Sequence, residues 1–210
     1  PEEAQDVVLY GFGRIGRLLA RNYIERSGPA ALLNLRAVVC RPSKDPAADL
    51  RKRASLLRTD SIHGAFNATV EVDEDRLCLI ANGNRIQFIY APDPAGLNYG
   101  EYGIKNAILI DNTGVWKDDA GLGQHLTSSG VEKVLLTAPA KGDIPNIVYG
   151  VNDGEIAGQS IISAASCTTN AATPVLKVLD KTYGIEQGHI ETVHSFTNDQ
   201  NLIDNFHKAD

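Results

Sequence analysis

Short apolar runs alternate with polar, glycine-rich or proline-containing stretches along most of the chain. Val7–Tyr10 is apolar, residues 11–16 are rich in glycine, and apolar residues recur at helical spacing across Ile15–Arg26. This order predicts a strand, a tight turn and a helix. Leu35–Cys40 adds a second strand and completes one βαβ unit, and we interpret the polar segment Arg41–Asp49 as a loop.

The middle of the chain predicts an antiparallel hairpin followed by further buried strands. Asn82-Gly83 favours a tight hairpin turn, and β-type residues flank it. The hairpin strands are predicted over Val70–Val72, Arg76–Ile80 and Arg85–Tyr90. Later strands are predicted over Ala107–Asp111, Lys133–Thr137, Ile147–Tyr149 and Ile161–Ala164, with a helix over Ala120–Ser129. This order predicts an α/β fold whose mostly parallel sheet has helices on both faces.

A second domain is expected to begin near residue 167. Thr168–Tyr183 has helical periodicity with Gly184 as a stop, and His189–Phe196 is predicted to be a strand. We therefore expect one domain over residues 1–166 and the beginning of an α+β domain over residues 167–210. The chain contains no Met, so we expect both ends to be trimmed.

Composition and charge narrow the possible partners. The chain has 210 residues, 43% of them hydrophobic and 22% charged, as in an ordinary globular protein. A net charge of −6 argues against a nucleic-acid surface. No apolar run has a bilayer-spanning length, and the start is acidic rather than signal-like. We expect a cytoplasmic protein with no nucleic-acid or membrane partner.

Three widely spaced cysteines, Cys40, Cys78 and Cys167, indicate free thiols rather than a disulfide framework or a metal site. Cys167 lies in Ser166-Cys167-Thr168-Thr169-Asn170, at a predicted junction between strand and helix. N–H groups at a helix start favour a thiolate, as does an imidazolium nearby. His194 lies on a segment that can return to this helix. This pairing predicts a cysteine nucleophile with a histidine base, whereas Cys40 and Cys78 fit buried structural positions.

Gly11, Gly13 and Gly16 form a GxGxxG pattern between the first strand and the first helix. In a Rossmann-type domain these glycines allow a tight turn, close approach of a pyrophosphate, and close packing of helix on strand. The pattern predicts a dinucleotide site. An acid at the end of the second strand normally binds the ribose 2′-hydroxyl, whereas a nearby arginine accommodates a 2′-phosphate.

The second strand of this chain ends in Cys40-Arg41-Pro42, and the nearest acids, Asp45 and Asp49, follow in the predicted loop. Arg41 is either a solvated surface charge or a contact to a 2′-phosphate. The choice between NAD and NADP stays open at this point.

Several stretches resemble the glyceraldehyde-3-phosphate dehydrogenase family along the whole chain, which is similar to the N-terminal part of such a subunit. Residues Cys167 and His194 lie 27 positions apart, as do the family's nucleophile and base. The matching stretches are Tyr10-Gly11-Phe12-Gly13-Arg14-Ile15-Gly16-Arg17, Asp60-Ser61-Ile62-His63-Gly64, Asn112-Thr113-Gly114, Thr137-Ala138-Pro139-Ala140-Lys141, Tyr149-Gly150-Val151-Asn152 and Ala165-Ser166-Cys167-Thr168-Thr169-Asn170.

The resemblance implies a phosphorylating aldehyde dehydrogenase of glycolysis or gluconeogenesis, with NAD as cofactor and NADP as a possibility. It implies glyceraldehyde 3-phosphate and inorganic phosphate as partners, and a homotetramer. Cys167 and His194 would be catalytic, while Ser166, Thr168 and Thr197 would bind phosphates. The implied cofactor contacts are Gly11, Phe12, Gly13, Arg14, Ile15, Gly16, Arg41, Thr113, Gly114, Thr137 and Ala138, and no metal is implied.

Three positions depart from the family pattern. Tyr10 replaces the usual Asn, Ala171 replaces a second cysteine, and the second strand lacks its acid. The first two leave the chemistry intact, and the third puts a strict NAD preference in doubt.

Two alternatives remain at this point. An erythrose-4-phosphate dehydrogenase shares the fold, the cysteine and the histidine, although it typically lacks the run Ser195-Phe196-Thr197 seen here. A non-catalytic nucleotide-binding module is the other alternative, and the reactivity of Cys167 toward an alkylating agent distinguishes it.

Overall fold

A computed structural model describes residues 4–28 and 30–195. Strands run over Gln5–Tyr10 (β1), Leu33–Cys40 (β2), Thr59–Asp60 (β3), Gly64–Ala65 (β4), Val70–Asp73 (β5), Cys78–Ala81 (β6), Asn84–Tyr90 (β7), Ala107–Asp111 (β8), Val131–Leu136 (β9) and Ile161–Ser163 (β10). Helices run over Arg14–Glu25 (α1), Pro46–Arg58 (α2), Asp119–Leu126 (α3) and Cys167–Tyr183 (α4), with 3-10 turns at Tyr99–Tyr102 and Asp153–Ile156.

Eight strands form one sheet in the order β10-β9-β8-β1-β2-β7-β6-β5. The six strands from β10 to β7 pair in parallel, and β6 and β5 add an antiparallel edge. The order reverses direction beside β1, where open α/β sheets bind dinucleotides. The predicted α/β fold with a Rossmann-type, mostly parallel sheet is confirmed.

Each face of the sheet carries a buried cluster of side chains. Successive side chains of a strand point to opposite faces, so one strand contributes to both clusters. Val7 and Leu9 of β1 join a buried cluster with residues of α1 and α2, while Val8 and Tyr10 join a second cluster that includes Leu122 of α3. Both faces of β1 are therefore buried, which explains its continuous apolar pattern. No helix within residues 4–28 and 30–195 combines the length and apolarity that a bilayer crossing requires.

The hairpin turn forms as its sequence predicts. Asn82 and Gly83 both have positive φ, 47° and 81°, as a two-residue turn matched to the twist of the flanking strands requires. The predicted strand Arg76–Ile80 begins two residues later, at Cys78. Leu77 also has positive φ and belongs to the turn before this strand.

The helix α2 lies partly where we expected only a loop, so that prediction over Arg41–Asp49 is wrong in its second half. Asp45 caps α2 by accepting a hydrogen bond from the N–H of Ala48 at 2.9 Å, and Pro46 occupies the first turn. The proline that indicated a loop is therefore a helix-start signal. The buried face of α2 contains Asp49 and Arg53 beside its leucines, which hides the helical apolar pattern.

Two predicted strands are absent from the described residues. At Ile147–Tyr149 the backbone makes only an isolated bridge between Asn146 and Ser163, and the N–H of Val148 is taken by the Asn152 side chain before the chain turns. His189–Ser195 has no strand either, and Val193 is fully exposed. Its alternating pattern fits a strand, but no described strand pairs with it. Phe196 lies outside the described residues.

Candidate active site

The glycine turn between β1 and α1 has a backbone that only glycine accommodates. Gly11 has φ +94°, and a Cβ there would lie 2.8 Å from the Thr113 side chain. A Cβ on Gly16 would collide with the carbonyl oxygen of Gly11. These two glycines are needed for the turn itself and for the close packing of α1 on it.

The start of α1 fits an anionic ligand. Gly13 is the N-cap residue of α1, and no side chain caps this end. No atom outside the local backbone lies within 4 Å of where a Cβ of Gly13 would stand. Because the first N–H groups of a helix have no intrahelical acceptor, those following Gly13 can bind the pyrophosphate of a dinucleotide.

Two predicted cofactor residues direct their side chains away from this start. Phe12 is buried and packs edge-on against Phe88, with ring centroids 5.3 Å apart. Arg14 lies with its Nε 3.4 Å from the Asp60 carboxylate. Ile15, by contrast, is half exposed beside them. Phe12 and Arg14 therefore offer a ligand at this turn their backbone rather than their side chains.

Asp60 holds the underside of the glycine turn in place. Its carboxylate lies beside Arg14 and Arg17, and it accepts hydrogen bonds from the backbone of Ile62 and His63 and, at 2.9 Å, from the His63 ring. Burial alone would raise the pKa of Asp60, but these hydrogen bonds and the arginine charge lower it well below its usual range. Sequence reasoning assigned no role to Asp60.

The ends of β8 and β9 form one wall of the crevice beside the glycine turn. The Asp111 carboxylate accepts hydrogen bonds from the Thr113 N–H and hydroxyl, both at 2.7 Å, which fixes Thr113 against Gly11. The Thr137 hydroxyl lies 3.1 Å from the Asp111 carbonyl oxygen and joins the two strand ends. Gly114 follows with positive φ. Thr113 and Thr137 are thus brought together where we predicted the cofactor.

A buried polar pair supports this wall from below. His125 of α3 and Asp111 are both fully buried, and the His125 Nε2 lies 3.0 Å from an Asp111 oxygen. The ring of Tyr10 packs edge-on against His125, with centroids 4.7 Å apart. Tyr10 is one of the departures from the family pattern. Its ring therefore lies next to the His125–Asp111 pair that supports Thr113. No sequence signal singled out Asp111 or His125.

Hydrogen bonds connect this crevice to the turn that carries Cys167. The Ser163 hydroxyl lies 2.7 Å from the carbonyl oxygen of Ala138 and accepts the N–H of Ala165 at 3.0 Å. Ala165 has φ +59°, an uncommon conformation for a residue other than glycine. The Asn170 side chain donates to the carbonyl of Ala164 at 2.8 Å and so closes the turn. The chain is thus held in a strained turn just before Cys167.

Cys167 is the first residue of α4 and is exposed. Ser166 caps this helix by accepting the N–H of Thr169 at 3.0 Å. The Cys167 sulfur lies 3.0 Å from Nε2 of His194, and the His194 Nδ1 lies 2.6 Å from the carbonyl oxygen of Ser195. Because Nδ1 must carry a proton to donate to a carbonyl, Nε2 is the nitrogen that can accept the thiol proton of Cys167.

The two groups shift each other's titration. The hydrogen bond from His194 lowers the pKa of the Cys167 thiol, although partial desolvation opposes this, and helix-start N–H groups add to the lowering. The hydrogen bond to Cys167 raises the pKa of His194, and the Ser195 carbonyl adds to the increase. Opposite shifts in a thiol and an imidazole favour a thiolate and an imidazolium, the reactive form of cysteine.

The structure describes two of the three predicted phosphate-binding residues, Ser166 and Thr168. The hydroxyl oxygens of Ser166 and Thr168 lie 3.0 Å apart, next to Cys167. Thr197 lies outside the described residues. Arg41 is exposed and directly follows β2. In the strand order, β2 lies on one side of β1, whereas β8 and β9, which lead to Thr113 and Thr137, lie on the other.

Comparison with known proteins supports the same family along the chain. Residues 5–119 match the family profile described as the glyceraldehyde 3-phosphate dehydrogenase NAD binding domain, and residues 166–210 match that of the C-terminal domain. The first match agrees with the predicted NAD site, and it does not address NADP.

Three curated relatives show the extent of the similarity. A glyceraldehyde-3-phosphate dehydrogenase-like protein of Pseudomonas aeruginosa is 62% identical over 99% of this chain and 45% of its own length. The glyceraldehyde-3-phosphate dehydrogenase of Thermotoga maritima is 39% identical over 96% of this chain and 57% of its own. Glyceraldehyde-3-phosphate dehydrogenase A, chloroplastic, of Zea mays is 40% identical over 99% of this chain and 49% of its own length. The chain thus spans about half the length of these relatives.

The NAD binding domain match covers more than half of the chain. This chain belongs to the glyceraldehyde-3-phosphate dehydrogenase family.

Proposed function

We propose that the protein catalyses the phosphorylating oxidation of D-glyceraldehyde 3-phosphate to 1,3-bisphosphoglycerate, as a step of glycolysis or gluconeogenesis. The observation that carries this proposal is the 3.0 Å contact between the Cys167 sulfur and the His194 Nε2 at the start of α4. A thiolate in this setting adds to an aldehyde carbon, and the family match places a nicotinamide cofactor in the same chain.

Cys167 and His194 divide the work of the reaction. The Cys167 thiolate forms a carbon–sulfur bond with the aldehyde carbon, and the carbonyl oxygen becomes a hydroxyl by taking the proton of the His194 imidazolium, which leaves His194 neutral. His194 then removes this proton from the hydroxyl as a hydride leaves the same carbon, so a thioester remains on Cys167. NAD, when bound, supplies the acceptor for the hydride. Inorganic phosphate then adds to the thioester, and the Cys167 thiolate leaves.

The surrounding residues stabilise charge during these steps. We assign the Cys167 N–H and the His194 ring to hydrogen-bond the developing oxyanion. Hydroxyl donors of Ser166, Thr168 and Thr197 suit phosphate oxygens, and we assign them to the substrate and attacking phosphates. The cofactor is assigned to the turn Gly11–Gly16 and to the crevice formed by Thr113, Gly114, Thr137 and Ala138.

We further propose the domain division predicted above, with residues 1–166 binding the cofactor and residues 167–210 beginning the catalytic domain. The start of α4 at Cys167 supports this boundary. On the family resemblance we propose a homotetramer in the cytoplasm that accepts NADP as well as NAD. Light scattering coupled to size exclusion measures the tetramer directly.

A steady-state assay tests the proposed reaction. With NAD or NADP, glyceraldehyde 3-phosphate and inorganic phosphate, the natural gene product is expected to reduce the cofactor, and omission of phosphate should stop turnover after one equivalent. Cys167→Ser is expected to lower the rate by at least about 1,000-fold, because the nucleophile is lost while cofactor binding remains. Near-normal turnover of Cys167→Ser would refute the mechanism, and faster turnover of erythrose 4-phosphate would reassign the substrate.

A further inference from the structure

Ala165 lies at the centre of the turn between β10 and α4, two residues before Cys167. The chain before this turn is fixed to the sheet, because the N–H of Ala164 donates to the carbonyl oxygen of Leu136 at 2.9 Å. The chain after it is helical from Cys167 onward. The backbone angles of Ala165 therefore help to set where the Cys167 sulfur lies relative to the strand ends.

The conformation of Ala165 is one that alanine rarely adopts. Its φ of +59° lies in the left-handed region, where the Cβ of a residue other than glycine crowds the following carbonyl. Alanine disfavours this region by about tenfold relative to its ordinary conformations. Ala165 is also buried, so its N–H needs an acceptor within the protein. A hydrogen bond to this N–H would therefore both satisfy the group and hold the turn.

The hydroxyl of Ser163 is the acceptor of this hydrogen bond. Ser163 is fully buried, and its Oγ lies 3.0 Å from the Ala165 nitrogen, 2.7 Å from the Ala138 carbonyl oxygen and 2.8 Å from the Asn146 Oδ1. A hydroxyl has one proton and two lone pairs, so it can donate to one of these oxygens and still accept from Ala165. The Ser163 backbone is fixed as well, because its N–H donates to the Pro145 carbonyl oxygen at 3.0 Å. The hydroxyl is thus a rigid anchor for the turn.

We propose that Ser163 is a positioning residue for the nucleophile, because its hydroxyl holds Ala165 in the left-handed conformation that directs Cys167 toward His194. The proposal rests on the proposed function, which takes Cys167 as the nucleophile. The Cys167 sulfur lies 3.0 Å from the His194 Nε2. A displacement of about 1 Å would break this contact, and a misplacement of this size can cost about 100-fold in rate. Without the Ser163 hydroxyl, the turn is free to relax and to move Cys167.

The rate of Cys167 alkylation by iodoacetamide at pH 7 tests the positioning role apart from turnover, since Cys40 and Cys78 are buried. Ser163→Ala in the natural protein is expected to lower this rate by about tenfold, the factor by which alanine disfavours positive φ. Adding Ala165→Gly should restore the rate to within about threefold, because glycine populates positive φ about as readily as negative φ. The kcat of aldehyde oxidation should follow the same order. A residue that only stabilises the fold would leave the alkylation rate of the folded protein unchanged.

Ser128 offers a matched control. It is buried, its hydroxyl lies 2.9 Å from the Pro94 carbonyl oxygen, and it accepts the N–H of Leu97 at 3.1 Å. It precedes β9, at the edge of the sheet opposite to the Cys167 turn. Ser128→Ala removes the same kind of buried hydroxyl bridge and should leave the alkylation rate and kcat unchanged.

Three results would count against the positioning role of Ser163. An alkylation rate that Ser163→Ala does not lower, an equal loss in Ser128→Ala, or a loss that Ala165→Gly does not restore would each overturn it, while Cys167 remains the nucleophile. If Cys167 of the natural protein reacts no faster than an ordinary thiol, the nucleophile of the proposed function fails together with its positioning.

Discussion

Cys40 and Cys167 differ in the direction of their pKa shifts because their surroundings differ. Burial raises the pKa of Cys40 to about 12, although the charges of Arg53 and Arg41 oppose the increase. Cys167, at the exposed start of α4 beside His194, has a lowered pKa. The sequence predicted the difference in burial, because Cys40 lies in an apolar strand pattern and Cys167 among hydroxyl and amide residues.

Asp60 shows what could not be predicted at the scale of residues. Its neighbours Arg14 and Arg17 are more than 40 positions earlier in the chain, and no local pattern indicates that such distant charges meet. The same holds for Asp111 and His125, whose pairing depends on how α3 packs on the sheet. Buried polar contacts of this kind follow from tertiary packing and not from periodicity.

Asp60→Asn is expected to destabilise the fold by about 3 kcal/mol at pH 7, because the buried guanidinium of Arg17 would lose the negative charge of Asp60. The folded-state pKa of Asp60 is lowered, so its contribution is present above the unfolded value of about 3.9 and is lost as the pH falls further. Urea unfolding of both proteins at several pH values measures the difference. A difference that stayed constant from pH 7 to pH 3 would contradict the ionic account.

At the scale of elements, local signals predicted most boundaries to within about two residues. The glycine turn, the Asn82-Gly83 hairpin and the Gly184 stop each depend on backbone conformations that few residues adopt, so their sequence signals are strong. α2 was missed because a buried Asp49–Arg53 pair occupies its inner face. His189–Ser195 was predicted wrongly because alternation reports which side chains share a face, while a strand also needs a partner strand.

The glycine turn permits a comparison of two substitutions that differ only in position. Gly16→Ala places a Cβ against the Gly11 carbonyl and should destabilise the fold by about 1–3 kcal/mol, as overpacking does. Gly13→Ala meets open space at an acceptable φ of −73°, so stability should hold while dinucleotide affinity falls. Thermal unfolding and dinucleotide titration measure both effects. Loss of stability without loss of affinity in Gly13→Ala would place the ligand elsewhere.

At the scale of the whole molecule, the order of the strands brings the functional residues to one edge of the sheet. The carboxyl ends of parallel strands point the same way, so the turns after β1, β8, β9 and β10 gather Gly11, Thr113, Thr137 and the Cys167 turn. Ser163 links the last two of these turns through its hydrogen bonds. The alternation of strands and helices predicted this architecture, whereas the linking hydrogen bonds became visible only in the structure.

The pH dependence of Cys167 alkylation tests the central claim most directly. In the natural protein the rate should rise as the pH passes a lowered thiol pKa, below the ordinary value of about 8.5, because the thiolate is the reactive species. His194→Asn should move this rise toward the ordinary value, while His189→Asn, which replaces an exposed histidine five positions earlier in the chain, should leave it in place. Cys167→Ser gives the background from Cys40 and Cys78. A profile that His194→Asn does not move would contradict the thiolate and imidazolium pair.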